Sequence, residues 1–153
     1  VLSSHLHADG NYAEELYVKD PGSSRQVRLS KELLDSGSFK VVMNGNIVFK
    51  HAVVRFKEVI EEALLKNDLS SEDIDLLIPH QANLRISNFV QKQMGLPDHK
   101  VFNNIMRIGN TTAASIPIAM SQAWEQGKIK ENDLLCLAAF GSGFTWASSL
   151  IRW

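Results

Sequence analysis

The sequence predicts an α/β fold of three layers, α/β/α, in which a five-stranded mixed sheet lies between helices and the last strand runs antiparallel. Three observations predict it. From residue 39 onward, short apolar runs alternate with segments of helical periodicity, the order that produces βα units and parallel pairing. Residues 74–79 and 134–140 are nearly all apolar, as strands covered on both faces are. The last two runs, 133–140 and 144–153, are separated only by Gly141-Ser142-Gly143 and can pair as a hairpin.

The elements follow in order. Residues 1–7 alternate like a strand already under way, and the chain opens without methionine, so a fragment of a longer protein is expected. This strand has no obvious role in the predicted sheet. Residues 8–38 are rich in Gly, Ser, Asp and charge, with a turn cluster at Pro21-Gly22-Ser23-Ser24 and a short helix over 30–34; they read as a connecting region. Residues 39–43 form a strand, ended by Asn44-Gly45-Asn46. Val48, Phe49, Ala52, Val53, Phe56, Val59, Ile60, Ala63 and Leu64 then repeat at helical spacing. Ser70-Ser71-Glu72-Asp73 fits one capped turn before the strand at 74–79. A second helix runs from Leu84 to Met94, closed by Gly95 and Pro97. Val101 and Phe102 begin a further strand, and a loop over 103–112 leads to a third helix through Ile116, Ala119 and Trp124, with Pro117 tolerated in its first turn.

Composition excludes several classes. With 16 basic and 17 acidic residues among 153, the formal net charge is -1, so no one-signed field recruits nucleic acid or a membrane surface. The only cysteine, Cys136, has no internal disulfide partner, and no Cys/His cluster has zinc spacing; a reducing, cytoplasmic compartment is favoured. No apolar run approaches the roughly 18 residues of a membrane span.

Two polar segments stand out, Ile78-Pro79-His80-Gln81-Ala82-Asn83 and Gly109-Asn110-Thr111-Thr112-Ala113-Ala114-Ser115, each lying between an apolar run and a helical pattern. They place a histidine and an asparagine at the C-terminal ends of two strands, where open α/β sheets bind ligands. A helix beginning one or two residues after His80 would bring the positive end of its dipole near the imidazole and favour the neutral form. Neutral His80 and the Asn110 amide can each donate an N–H to one developing oxyanion, such as the enolate formed when a C–C bond breaks beside a thioester. Singly, each residue is readily explained by packing or turn formation; together at neighbouring strand ends they read as a site. Phe140-Gly141-Ser142-Gly143-Phe144 is a third loop where glycines let backbone N–H groups approach a ligand, or make a tight turn. Cys136, inside an apolar run, reads as an inert buried thiol. His5, His7 and Asp9 share one strand face in an H-x-H-x-D pattern, but no further ligands are evident and no metal site is assigned.

These motifs, with Ala139-Phe140-Gly141-Ser142-Gly143-Phe144-Thr145-Trp146, closely resemble the C-terminal half of β-ketoacyl-acyl-carrier-protein synthase III, a condensing-enzyme family with the thiolase fold, over essentially the whole chain. The resemblance implies transfer of a short acyl group, acetyl for example, from coenzyme A to a cysteine, then decarboxylation of malonyl-acyl-carrier protein and attack of its carbanion. This initiates type II fatty-acid synthesis. Coenzyme A thioester is a substrate; no cofactor is implied. His80 and Asn110 match the decarboxylation pair, Phe140 the active-site loop, and Ser142, where the family more often has glycine, a backbone donor of the acyl oxyanion hole. Asn46, Phe49, Ala82, Asn83 and Arg85 match coenzyme A contacts, although Ile47 departs from the usual acidic residue. Lys50, Arg85 and Lys92 are candidates for contacting the acidic carrier protein, with Arg55 weaker.

The family's nucleophilic cysteine belongs to its N-terminal half, and Cys136 has neither its motif nor its position. The isolated chain is therefore expected not to condense. On this resemblance residues 1–10 are the last strand of the missing N-terminal half, 11–38 the connection and 39–153 the C-terminal thiolase-like domain. That first strand would lack its own sheet. Expected partners are acyl-CoA, acyl-carrier protein, the missing half and, in the full enzyme, a second copy in a homodimer; expected localisation is bacterial-type cytoplasm or plastid stroma. Two other readings remain open at this point: a non-catalytic coenzyme A or carrier-protein binding module, and hydrolysis at a metal on His5 and His7.

Overall fold

Alternation along the strands divides the interior in two. In the computed structural model, which describes all residues except 24, 25 and 27, Leu76 and Ile78 of β4 (Leu76–Pro79) face one core and Leu77 faces the other. Leu134 and Cys136 of β5 (Leu134–Gly141) join Leu77 beneath α2 (Gly45–Lys66) and α3 (Leu84–Gln93). Leu135 joins Leu76 and Ile78 against Ala119 and Ala123 of α5 (Ser115–Glu125). The result is the expected three layers, with helices on both faces of an apolar sheet.

The sheet itself differs from the expectation. It has four strands in the order β1-β6-β5-β4, with β4 parallel to β5 and β6 (Thr145–Arg152) antiparallel to both its neighbours. The first strand, β1 (Ser3–Ala8), does have a place here: it pairs with the outer edge of β6 from Ser3↔Leu150 to Ala8↔Thr145. The pairing is continued by reciprocal 2.8 Å bonds between the backbones of Asp9 and Phe144.

Two expected strands are absent from this sheet for different reasons. Residues 41–43 form β3 (Val41–Met43), whose side chains are all exposed; without a face to bury, it pairs with β2 (Leu16–Val18) in a separate two-stranded ribbon. Val101 makes one parallel bridge to Leu77, and Phe102 N–H donates to Leu77 O at 2.9 Å. There the pairing stops, because the Phe102 carbonyl accepts from the Gln81 side chain and the chain turns into α4 (Ile105–Ile108).

The long helix and its capping follow the sequence closely. Asn44 accepts from Ile47 N–H at the head of α2, and the apolar spacing buries Val48, Ala52, Val53, Phe56, Val59, Ile60, Ala63 and Leu64. Ser148 of β6 donates to Val59 O at 2.7 Å, so this buried hydroxyl is satisfied by the helix backbone. Asp73 accepts from both the N–H and the hydroxyl of Ser70, making the expected capped turn. The connecting region contains α1 (Lys31–Ser36), N-capped by Ser30 as expected nearby, and also β2, which its polar composition concealed; the turn expected at 21–24 lies partly outside the described residues. No helix is long and apolar enough to cross a membrane among the described residues.

Candidate functional site

β4 and β5 end side by side, and His80 follows directly, its N–H donating to Ala138 O at 2.8 Å. The chain then makes a tight turn, with Ala82 N–H returning to His80 O at 2.9 Å. Asn83 caps α3 by accepting from Arg85 N–H at 2.9 Å. The helix thus starts at Leu84, later than the one or two residues expected. What holds His80 below its ordinary pKa is burial, which penalises the imidazolium and favours the neutral ring.

The other ring nitrogen contact is specific. His80 Nδ1 lies 2.5 Å from Ser115 Oγ, the first residue of α5, and Gln81 N–H also donates to that oxygen at 3.3 Å. Asn110 is placed by another route than expected. It does not sit at a strand end, because α4 intervenes between the Val101 bridge and the turn that enters α5. Gly109, at φ +76°, makes the left-handed step that starts this turn. Asn110 Oδ1 then accepts from Thr112 N–H at 2.9 Å. A backbone donor facing the side chain fixes which end is oxygen, leaving Nδ2–H₂ as the donor end. Both side chains therefore offer neutral N–H donors, held by the two ends of one turn-and-helix segment.

Gln81 links these parts and has a role the sequence did not assign. Only 2 % exposed, it donates from Nε2 to Pro79 O (2.7 Å) and Phe102 O (3.3 Å), while Oε1 accepts from the N–H groups of Asn104 (2.9 Å) and Ile105 (3.2 Å). Asn104, itself buried, continues to Gln122 of α5 at 3.1 Å. The signal for Gln81 and Ser115 was their presence inside the two polar segments; their partners are distant in sequence and were not visible there.

The third loop lies beside the same strand ends. Phe140 is buried against Phe144 (ring centroids 4.9 Å apart), which stacks on Tyr12 at 5.2 Å. Ser142 is exposed, and its hydroxyl donates to Leu16 O at 2.7 Å, tying the turn to the β2–β3 ribbon. Gly143, at φ +136°, has no room for a side chain: a Cβ would stand 2.8 Å from Thr145 Cγ2 and 3.0 Å from Thr145 N.

Of the remaining candidates, Phe49 and Arg85 are brought together, with the guanidinium 5.5 Å from the ring centre and Phe89 edge-on to Phe49 at 6.1 Å. Asn46 and Lys50 are exposed on the first turns of α2, and Ala82 is exposed in the turn before α3. Lys92 follows Arg85 by seven residues on α3 and so shares its face. A groove of about 590 Å³ beside α3 includes Lys92 and Asn103 but neither His80 nor Asn110. Arg55 instead stacks on Trp146 at 4.8 Å and pairs with Glu58. Cys136 is fully buried, which pushes its thiol up to about 12. His5 and His7 converge on Glu62, at 3.3 and 2.6 Å, while Asp9 accepts from Asn11; the three residues of the H-x-H-x-D pattern do not converge.

Comparison with known proteins agrees with this architecture. A crystal structure of 3-oxoacyl-[acyl-carrier-protein] synthase III from Aquifex aeolicus VF5 superposes with a TM-score of 0.87 at 37% identity, covering 100% of this chain and 44% of that one. One of the Thermus thermophilus synthase III gives 0.85 at 40% identity, covering 99% and 46%. The fold is that of the thiolase-like condensing enzymes. The family of 3-oxoacyl-[acyl-carrier-protein (ACP)] synthase III C-terminal domains matches residues 64–153, and the chain belongs to it. Among curated relatives, the β-ketoacyl-[acyl-carrier-protein] synthase III of Roseiflexus castenholzii is 46% identical over 153 residues, 100% of this chain and 46% of the relative. The chain thus spans about half the length of the curated relatives it matches.

Proposed function

We propose that this chain supplies the decarboxylating half of a β-ketoacyl-acyl-carrier-protein synthase III, which condenses an acyl-CoA primer, acetyl-CoA for example, with malonyl-acyl-carrier protein and initiates type II fatty-acid synthesis. The observation that carries the reading is the pair of neutral donors: His80, half-buried and held towards its neutral form, and the Asn110 amide, oriented by Thr112 N–H. When the malonyl C–CO₂ bond breaks, its electron pair passes through the α-carbon to the thioester oxygen. His80 and Asn110 donate hydrogen bonds to that oxygen, each supplying about 3–4 kcal/mol of barrier lowering. The α-carbon then attacks the acyl-enzyme carbonyl, and the C–S bond breaks with the electrons leaving on the thiolate sulfur; the acyl group's earlier transfer to that sulfur released CoA.

That sulfur is not on this chain. Cys136, fully buried with its thiol at about 12, offers no thiolate, so the nucleophile comes from the N-terminal half and the isolated chain does not condense. The Ser142 backbone N–H and Phe140 serve the acyl oxyanion loop; Asn46, Phe49, Ala82, Asn83 and Arg85 contact coenzyme A. Lys50, Arg85 and Lys92 receive the acidic carrier protein. The whole enzyme is a homodimer in a cytoplasmic or stromal compartment.

The test is to combine the chain with the N-terminal half of a synthase III and follow CO₂ release and 3-oxoacyl product from acetyl-CoA and malonyl-acyl-carrier protein. Condensation by the pair, lost about 10²–10³-fold in His80→Ala or Asn110→Ala, supports the reading. Thioester binding without CO₂ release from a well-folded pair would make the chain a binding module instead.

A further inference from the structure

Ser115 lies within the second polar segment but has no role in the reaction as proposed. It is 2 % exposed and begins α5, where its hydroxyl makes no cap to its own helix. Its oxygen instead has two partners from the β4–α3 turn: His80 Nδ1 at 2.5 Å and the Gln81 backbone N–H at 3.3 Å.

These two contacts constrain where the protons are. An amide N–H can only donate, so Gln81 uses one lone pair of Ser115 Oγ. If His80 Nδ1 also carried a proton, two donors would converge on the oxygen and the hydroxyl proton would need another acceptor. Among the described residues Ser115 Oγ has no other partner. A buried hydroxyl is not left without an acceptor when one lies in reach. The hydroxyl proton therefore points at Nδ1, which must be the unprotonated nitrogen, and the single proton of the neutral ring sits on Nε2.

We propose that Ser115 is a positioning residue that holds neutral His80 in its Nε2–H tautomer. The inference rests on the reading of His80 as the enolate donor, since that role needs an N–H on the outward nitrogen. The opposite tautomer would turn a lone pair towards the developing oxyanion. Ser115 touches no substrate in this scheme; it acts through His80. Because it opens the helix fed by the Asn110 turn, one hydroxyl also ties together the two segments that carry the donors.

The tautomer can be read without substrate or a second polypeptide, so its failure is separate from failure of the condensation reading. The experiment is a long-range ¹H–¹⁵N correlation on the ¹⁵N-histidine-labelled chain above neutral pH, with His80 identified by the signals missing in His80→Gln. The expected spectrum has Nδ1 at an unprotonated shift and Nε2 at a protonated shift, with no averaging. In Ser115→Ala both shifts move towards the values of a mixed tautomer population, and the His80 titration moves up because the neutral ring loses a donor. Ser115→Thr restores both. A protonated Nδ1 in the unaltered chain overturns the proposal, as do unchanged shifts in a folded Ser115→Ala. Should that variant fail to fold, the spectra of the unaltered and Ser115→Thr chains decide it.

Discussion

Replacing Gln81 by Leu removes an amide that makes four hydrogen bonds and puts an apolar side chain of similar size in its place. The backbone groups left behind are two carbonyls, Pro79 O and Phe102 O, and two N–H groups, those of Asn104 and Ile105. At about 1 kcal/mol for each bond the loss is about 4 kcal/mol, and burial of the orphaned groups would push it higher. Water works the other way. Ile105 is only half-buried, so its N–H can be rehydrated, whereas Asn104 is 1 % exposed. The net expectation is a loss of about 3 kcal/mol, a large part of the roughly 5–15 kcal/mol that stabilises an ordinary domain.

Urea unfolding followed by circular dichroism measures this as a drop in midpoint at unchanged slope. Native-state hydrogen exchange locates it: the Asn104 and Ile105 amides should lose protection first, with α2 amides following only through the global change. A loss below about 1 kcal/mol, or equal acceleration across the whole chain, would refute the view that Gln81 is the pin between the His80 turn and α4.

Three further outcomes follow from the same geometry. Gly143→Ala places a Cβ against the backbone of Thr145 at a φ of +136°, and should lower stability by about 1–3 kcal/mol in urea unfolding. Ser142→Gly loses one exposed hydrogen bond to Leu16 O and should cost no more than about 1 kcal/mol, while exchange of the β2–β3 amides accelerates. The folded state holds His80 below its ordinary 6.5, so the unfolded chain takes the proton first as pH falls. His80's contribution to stability is therefore complete above 6.5, declines between 6.5 and its folded value, and is flat below that; midpoints measured against pH should lose this slope in His80→Gln.

Local and pattern-borne features were legible in the sequence, and features decided by distant partners were not. The α2 stripe from Val48 to Leu64, the Asp73 turn and the hairpin across Gly141-Ser142-Gly143 are each set by residues close in the chain. Strand membership is not, because it depends on which edge is free. Val41, Val42 and Met43 have strand-forming side chains but bury none of them, so they join a peripheral ribbon, while the alternating first strand finds the open edge of β6 more than a hundred residues away. The site divides similarly. His80 and Asn110 stand out because polar residues beside apolar runs need explaining, yet what fixes them is Ser115 on Nδ1, Thr112 on the Asn110 carbonyl and Gln81 between β4 and α4. The lowered pKa of His80 follows from burial, and that too was not local: desolvation acts wherever the fold closes around the ring, while α3 begins only at Leu84, later than expected. A histidine tuned by burial and by a hydroxyl on another helix depends on how β4 packs against α5. Substitutions beneath that contact, at Ile78 or Ala119, should therefore reach the site although neither carries a polar atom in its side chain.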